Sequence, residues 1–91
     1  MPSSGQYQCP CCDFYTLANR ASYDICPVCY WEDEGLDLDR LDQPSRANHI
    51  SLRQARSNFV QYGACDEGAV SLVMRASERA GLRREVRATM H

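Results

Sequence analysis

The chain has 91 residues, six cysteines and a formal net charge of −2. Leu, Ile, Val and Phe make up about 18% of it, a share that verges on disorder, but the low net charge, Trp31 and five tyrosines argue for a folded chain. These figures exclude a second domain and a bilayer-spanning segment, for which about 18 consecutive apolar residues are needed, and they call for a staple beyond the thin aliphatic core.

Met1-Pro2-Ser3-Ser4-Gly5 has neither a basic segment nor an apolar stretch, so no signal peptide is expected. The expected location is the cytoplasm, where thiols stay reduced. Cysteines there serve as metal ligands or catalytic groups more often than as disulfides.

The chain reads as a single domain over residues 1–91, beginning with a β-rich cysteine module at 6–31. Tyr7-Gln8 and Phe14-Tyr15-Thr16-Leu17 predict two short strands around a tight turn, and Tyr23-Asp24-Ile25 predicts a third. Residues 32–47, with their acids, Gly35, Pro44 and Ser45, predict a solvated acidic loop. Residues 51–62 carry the strongest helix signal. Ser51 is the N-cap with Gln54 in capping-box position, Leu52, Ala55, Phe59 and Tyr62 recur at helical spacing, Val60 widens the stripe, and Gly63 sits where a left-handed C-cap belongs. Arg53 and Arg56 are expected on the wet face. Residues 67–91 predict short helices or a tail: Asp66 caps a helix through Val70, Leu72 and Val73, and 77–90 forms a helix that Gly81 makes marginal. The last few residues are expected to fray.

Charge divides along the chain. Residues 1–42 set Arg20 and Arg40 against eight acids, a net −6, and residues 43–91 set eight arginines against four acids, a net +4. Lysine is absent.

Cysteine spacing carries the chemistry. Cys9-Pro10-Cys11-Cys12 and Cys26-Pro27-Val28-Cys29 give C-x2-C twice, with 13 residues between, close to a four-cysteine zinc pattern. Two residues between thiols let one tight turn aim both sulfurs at a point about 2.3 Å away, and two such turns complete a tetrahedron. Pro10 and Pro27 fix φ in each turn and lower the entropy lost on closure. The expected metal ligands are Cys9, Cys12, Cys26 and Cys29. Zinc is preferred and iron is the alternative, since four thiolates suit either; the glycines that follow rubredoxin knuckles are replaced here by Asp13 and Tyr30. Cys11 in place of Cys9 or Cys12 spoils the two-residue gap. It reads as a spare thiol near the metal, with a redox-sensing or ligand-swapping role as the sharper alternative. Cys65 reads as a small buried hydrophobe.

Three runs resemble the cysteine-rich CPCC family of small bacterial proteins. These are Cys9-Pro10-Cys11-Cys12 with Thr16-Leu17; Tyr23-Asp24-Ile25-Cys26-Pro27-Val28-Cys29-Tyr30-Trp31-Glu32-Asp33; and Asn48 with Ser51-Leu52, Ala55-Arg56, Asn58-Phe59 and Tyr62-Gly63-Ala64. The resemblance covers roughly residues 6–66 and implies a small metal-bearing fold. The resemblance implies Gly after the first knuckle, as the family pattern usually has, where this chain has Asp13.

Trp31 is expected to lie over the site as an apolar lid with Glu32, Asp33 and Glu34 solvated; the alternative is an exposed aromatic beside acids, an anchor for a basic protein. Asp37, Asp39 and Asp42 lack the glycine and glutamate places of a calcium loop. His49 reads as a surface residue and His91 as part of a disordered terminus. Ser3, Ser4 and Ser51 have no base partner, and no nucleophile elbow, phosphate loop or H-E-x-x-H occurs. Four thiolates also close the metal shell, so no enzyme is expected.

The expected fold is small α+β, a zinc-ribbon-like or rubredoxin-like β knuckle module packed against one main helix, with Phe14, Ile25, Trp31, Leu52 and Phe59 in the core. Zinc would contribute on the order of 10 kcal/mol of folding free energy. The expected function is a structural-zinc interaction module with a basic protein partner, such as an immunity or regulatory partner. The alternatives are a nucleic-acid-binding zinc ribbon, against which the net charge argues, and a rubredoxin-like iron electron carrier.

Overall fold

Two C-P-x-C turns fold alike because each is closed by the same pair of backbone hydrogen bonds. In the computed structural model, which describes residues 5–89, Asp13 N–H donates to Cys9 O (2.9 Å) and Cys9 N–H to Phe14 O (2.8 Å). Seventeen residues later, Tyr30 N–H donates to Cys26 O (2.8 Å) and Cys26 N–H to Trp31 O (2.9 Å). Asp13 and Tyr30 reach these positions with φ of 68° and 73°, in the left-handed region that glycine adopts most cheaply. Ser3, Ser4 and His91 lie outside the described residues.

β1 (Tyr7–Gln8) and β2 (Tyr15–Leu17) flank the first turn and pair antiparallel, Tyr7 opposite Leu17 and Gln8 opposite Tyr15. The expected third strand is reduced to one bridge between Ile25 and Glu32. Tyr23 has φ of 61°, so the chain turns there and leaves no room for a strand before Cys26. Ile25, expected in the core, is 47% exposed. It precedes the inward-pointing Cys26, and in extended backbone adjacent side chains face opposite ways.

α1 (Leu52–Tyr62) starts and stops where expected: the Ser51 hydroxyl accepts from Gln54 N–H, and Gly63 (φ 81°) donates its N–H to Phe59 O. Gln54 does not reach back as a capping box does; its amide donates to Asn58 Oδ1 (2.8 Å). Leu52, Ala55 and Phe59 are buried, whereas Val60 is 85% exposed and lies outside the apolar stripe. Arg56, expected on the wet face, turns inward to the first knuckle, and Arg53, half-buried, pairs with Asp42. Phe59 packs edge-on against Phe14, the ring centroids 6.4 Å apart. With Trp31, Leu17, Val28, Leu41 and the cysteines they make the core.

The 32–47 segment is more ordered than expected. Asp37 caps a 3-10 turn at Leu38–Arg40, and Leu36, Leu41, Asp33 and Ser45 are buried. Asp66 caps a second 3-10 turn at Glu67–Leu72, its side chain accepting from Gly68 N–H. The helix expected over 77–90 shrinks to α2 (Ala76–Arg79). Beyond Gly81 the chain becomes an extended strap: Tyr15 N–H donates to Arg83 O (3.0 Å), Gln8 Nε2 donates to Glu85 O (2.8 Å), and Phe14 bridges Arg84. Cross-chain pairing outweighs weak helix propensity at this end.

Candidate metal centre

The two knuckles face one another and bring Cys9, Cys12, Cys26 and Cys29 together, their sulfurs all within 4.8 Å of each other. Cys9 Sγ lies 3.5 Å from Cys29 Sγ, and Cys12 Sγ 3.7 Å from Cys26 Sγ. Four sulfurs about 2.3 Å from a common ion lie about 3.8 Å apart, so these spacings and this donor set fit a tetrahedral metal. The four residues are at most 1% exposed, and all six cysteines are free thiols.

Burial dominates the protonation of the site. It raises the Cys9, Cys12 and Cys29 thiols well above their ordinary value. It pushes Cys26 up as well, but hydrogen bonds from Cys12, Cys29, Cys9 and Thr16 outweigh it and bring the Cys26 thiol below its ordinary value. Burial opposes charge on these thiols, so a cluster of thiolates here needs a cation beside it. Thr16 Oγ1 sits 3.0 Å from Cys26 Sγ. Its role was not read from the sequence, although a hydroxyl one residue into the return strand of a knuckle is the available signal.

The first knuckle is braced by arginines. Arg56 Nη1 donates to Pro10 O (2.6 Å), Arg84 Nε to Cys12 O (3.0 Å) and Arg87 Nη2 to Cys9 O (3.5 Å). Between them lies the Asp13 carboxylate, 1% exposed, at 2.8 Å from both Arg56 Nη2 and Arg87 Nε. Burial raises the Asp13 carboxyl, and the Arg56 and Arg87 hydrogen bonds overcome this and hold it below the ordinary Asp value. Asp13, where the resemblance implies a glycine, is thus a residue whose side chain ties α1 and the strap to the knuckle.

Trp31 is fully buried, as the lid reading expects. Its Nε1 is the one buried side-chain nitrogen or oxygen without a partner among the described residues. Two of the three acids beside it, Asp33 and Glu34, are tied into the fold rather than solvated. Asp33 is buried and accepts from Arg20 Nε, Ala21 N–H and Gly35 N–H. Glu34 accepts from the Ser45 hydroxyl and from Arg46 and Ala47 N–H. Asp37 pairs with Arg20 and Arg87, and Asp42 with Arg53. Neutralising Asp33 and Glu34 would therefore remove acceptors that the fold uses. Asn48, quoted only as part of the resemblance, clamps Glu32 by donating to its carbonyl and accepting from its N–H.

Cys11, 2% exposed, stands outside the four-sulfur cluster, on the floor of a cleft of about 480 Å³ that Arg56 and Arg87 also line. Burial, aided by charge at Cys11 and Asp66, pushes the Cys65 thiol up to about 12. His49 is exposed, at φ 65° in a turn. No helix among the described residues is long and apolar enough to cross a membrane.

Neither the curated proteins nor the solved structures include a significant match to the chain. The cysteine-rich CPCC family model matches residues 7–80, past the 6–66 stretch of the resemblance and across both knuckles, Thr16, Asn48 and α1. With both knuckles folded and their four sulfurs converging inside that span, the chain belongs to the cysteine-rich CPCC family.

Proposed function

We propose that the chain is a structural-zinc protein, a zinc-ribbon-like or rubredoxin-like knuckle module that presents a surface to a basic protein partner in the cytoplasm, as an immunity or regulatory protein does. The observation that carries this reading is the sealed four-sulfur cluster, its residues at most 1% exposed. A shell closed by four thiolates keeps no open position for substrate or water, which argues against metal-assisted catalysis. Burial on all sides also argues against electron exchange at the surface, which favours zinc over iron. The metal's contribution is then conformational, since two short strands and an 11-residue helix make a core too thin to stand unaided.

The test is elemental analysis of the purified chain with its visible spectrum. A colourless protein with one zinc per chain supports the reading. A red protein with one iron, reducible and reoxidisable, moves it to the electron-carrier alternative.

A further inference from the structure

Five side chains from separate parts of the chain meet beside the second knuckle. Ile25 (47% exposed), Tyr30 (39%) and Leu72 (59%) line a groove of about 300 Å³ together with Glu32 and Asp66. Exposed apolar residues are ordinary when scattered; three converging in one concave site are not. No arginine lines this groove, although the chain has ten. Its ionisable side chains besides the tyrosine and Cys65 are the two carboxylates; neither is in an ion pair among the described residues, and Asp66 accepts only from Gly68 N–H. Most other acids of the segment 32–42 are consumed internally.

Tyr30 adds an independent observation. It holds a left-handed backbone, φ 73°, at about 1 kcal/mol or more relative to glycine. A buried ring could repay that cost by packing, but this ring is on the surface. The residue lines the groove. Ile25 and Tyr30 are the chain neighbours of Cys26 and Cys29, two residues of the four-sulfur cluster. With a divalent ion bound, four thiolates would carry a formal −2 and add to the negative potential on this half of the chain.

We propose that this groove, formed by Ile25, Tyr30, Glu32, Asp66 and Leu72, is the docking site for an extended basic segment of a protein partner, an apolar side chain seated against Tyr30 and Leu72 with Arg or Lys side chains reaching Glu32 and Asp66. The proposal rests on the interaction-module reading and names its surface. Apolar contact supplies the anchor, and the two carboxylates select against acidic partners.

The probe is a random dodecapeptide display library selected on the metal-loaded full chain, the best peptide then titrated by calorimetry at two salt concentrations. Selected peptides should place Arg or Lys next to Leu, Ile or an aromatic residue. Ile25→Ser with Leu72→Ser should weaken binding tenfold or more. Glu32→Gln with Asp66→Asn should weaken it several-fold and flatten its salt dependence; these surface changes keep the fold available if the serine pair loses it. Unchanged affinity in the charge variant with full metal content, selection of acidic peptides, or an empty selection would each overturn the groove. So would binding of a single-stranded oligonucleotide, lost on Arg84→Ala, that displaces the peptide. A chain that binds the peptide at the groove but carries no metal would sink the structural-zinc reading alone.

Discussion

Thr16 places its hydroxyl 3.0 Å from the Cys26 sulfur, where an O–H donor stabilises a thiolate without adding a ligand. Outer-shell partners of this kind are typically worth about 10–100-fold in metal affinity. Thr16→Val should weaken metal retention by that order in a chelator competition, while Thr16→Ser should keep it; equal loss in both would point to packing. Cys65, its thiol pushed up to about 12 by burial, should resist iodoacetamide at pH 8 in the folded chain and react once unfolded, as read by intact mass. Asp13 tests the buried ion pair. Asp13→Asn leaves Arg56 and Arg87 without their carboxylate and should cost about 2–3 kcal/mol in denaturant unfolding, less than a wholly buried pair because Arg87 is partly exposed. Its depressed folded pKa means this contribution is present above the ordinary Asp value near 4 and lost as pH falls through the folded value. Asp13→Asn should therefore flatten the acid limb of stability below about pH 4 relative to the parent chain, under equal metal loading. The ligand set was legible because C-P-x-C encodes its own turn. The Asp13 pairing was not, since its partners lie 43 and 74 residues away and nothing local announces them.

α1 was the most legible element because both of its ends are encoded locally. Ser51→Ala should cost about 1 kcal/mol through the lost cap, and Gly63→Ala about 1 kcal/mol through the left-handed φ of 81°, both read as shifts of the thermal midpoint. The second knuckle's return was legible in position but not in direction, and so Ile25 was placed in the core. The 32–47 segment misled for another reason. Acid-rich composition predicts solvation, yet Asp33 and Glu34 serve as acceptors for backbone N–H groups that have no strand or helix to satisfy them. The strap past Gly81 was illegible because its structure depends on distant partners, namely Tyr15 N–H, Gln8 and Asp13. Ending the chain at Leu82 removes Arg84 and Arg87 from the first knuckle; the shortened protein should unfold at a lower temperature than Asp13→Asn and expose Cys11 to alkylation.

For the whole molecule the proposed metal is the organising term. The described residues offer one short hairpin and one long helix, a thin frame for knuckles whose four sulfurs converge to within reach of one ion. Cys26→Ser should leave an unfolded or aggregating chain and Cys11→Ser a folded one, because Cys11 stands outside the cluster. The most direct measurement is X-ray absorption at the metal edge of the purified chain, which names the element and counts its neighbours at once. The account predicts a zinc edge and a single shell of four sulfurs at about 2.3 Å, unchanged in Cys11→Ser and lost in Cys9→Ser. A shell containing nitrogen or oxygen, or one that survives Cys9→Ser and disappears with Cys11→Ser, would contradict it.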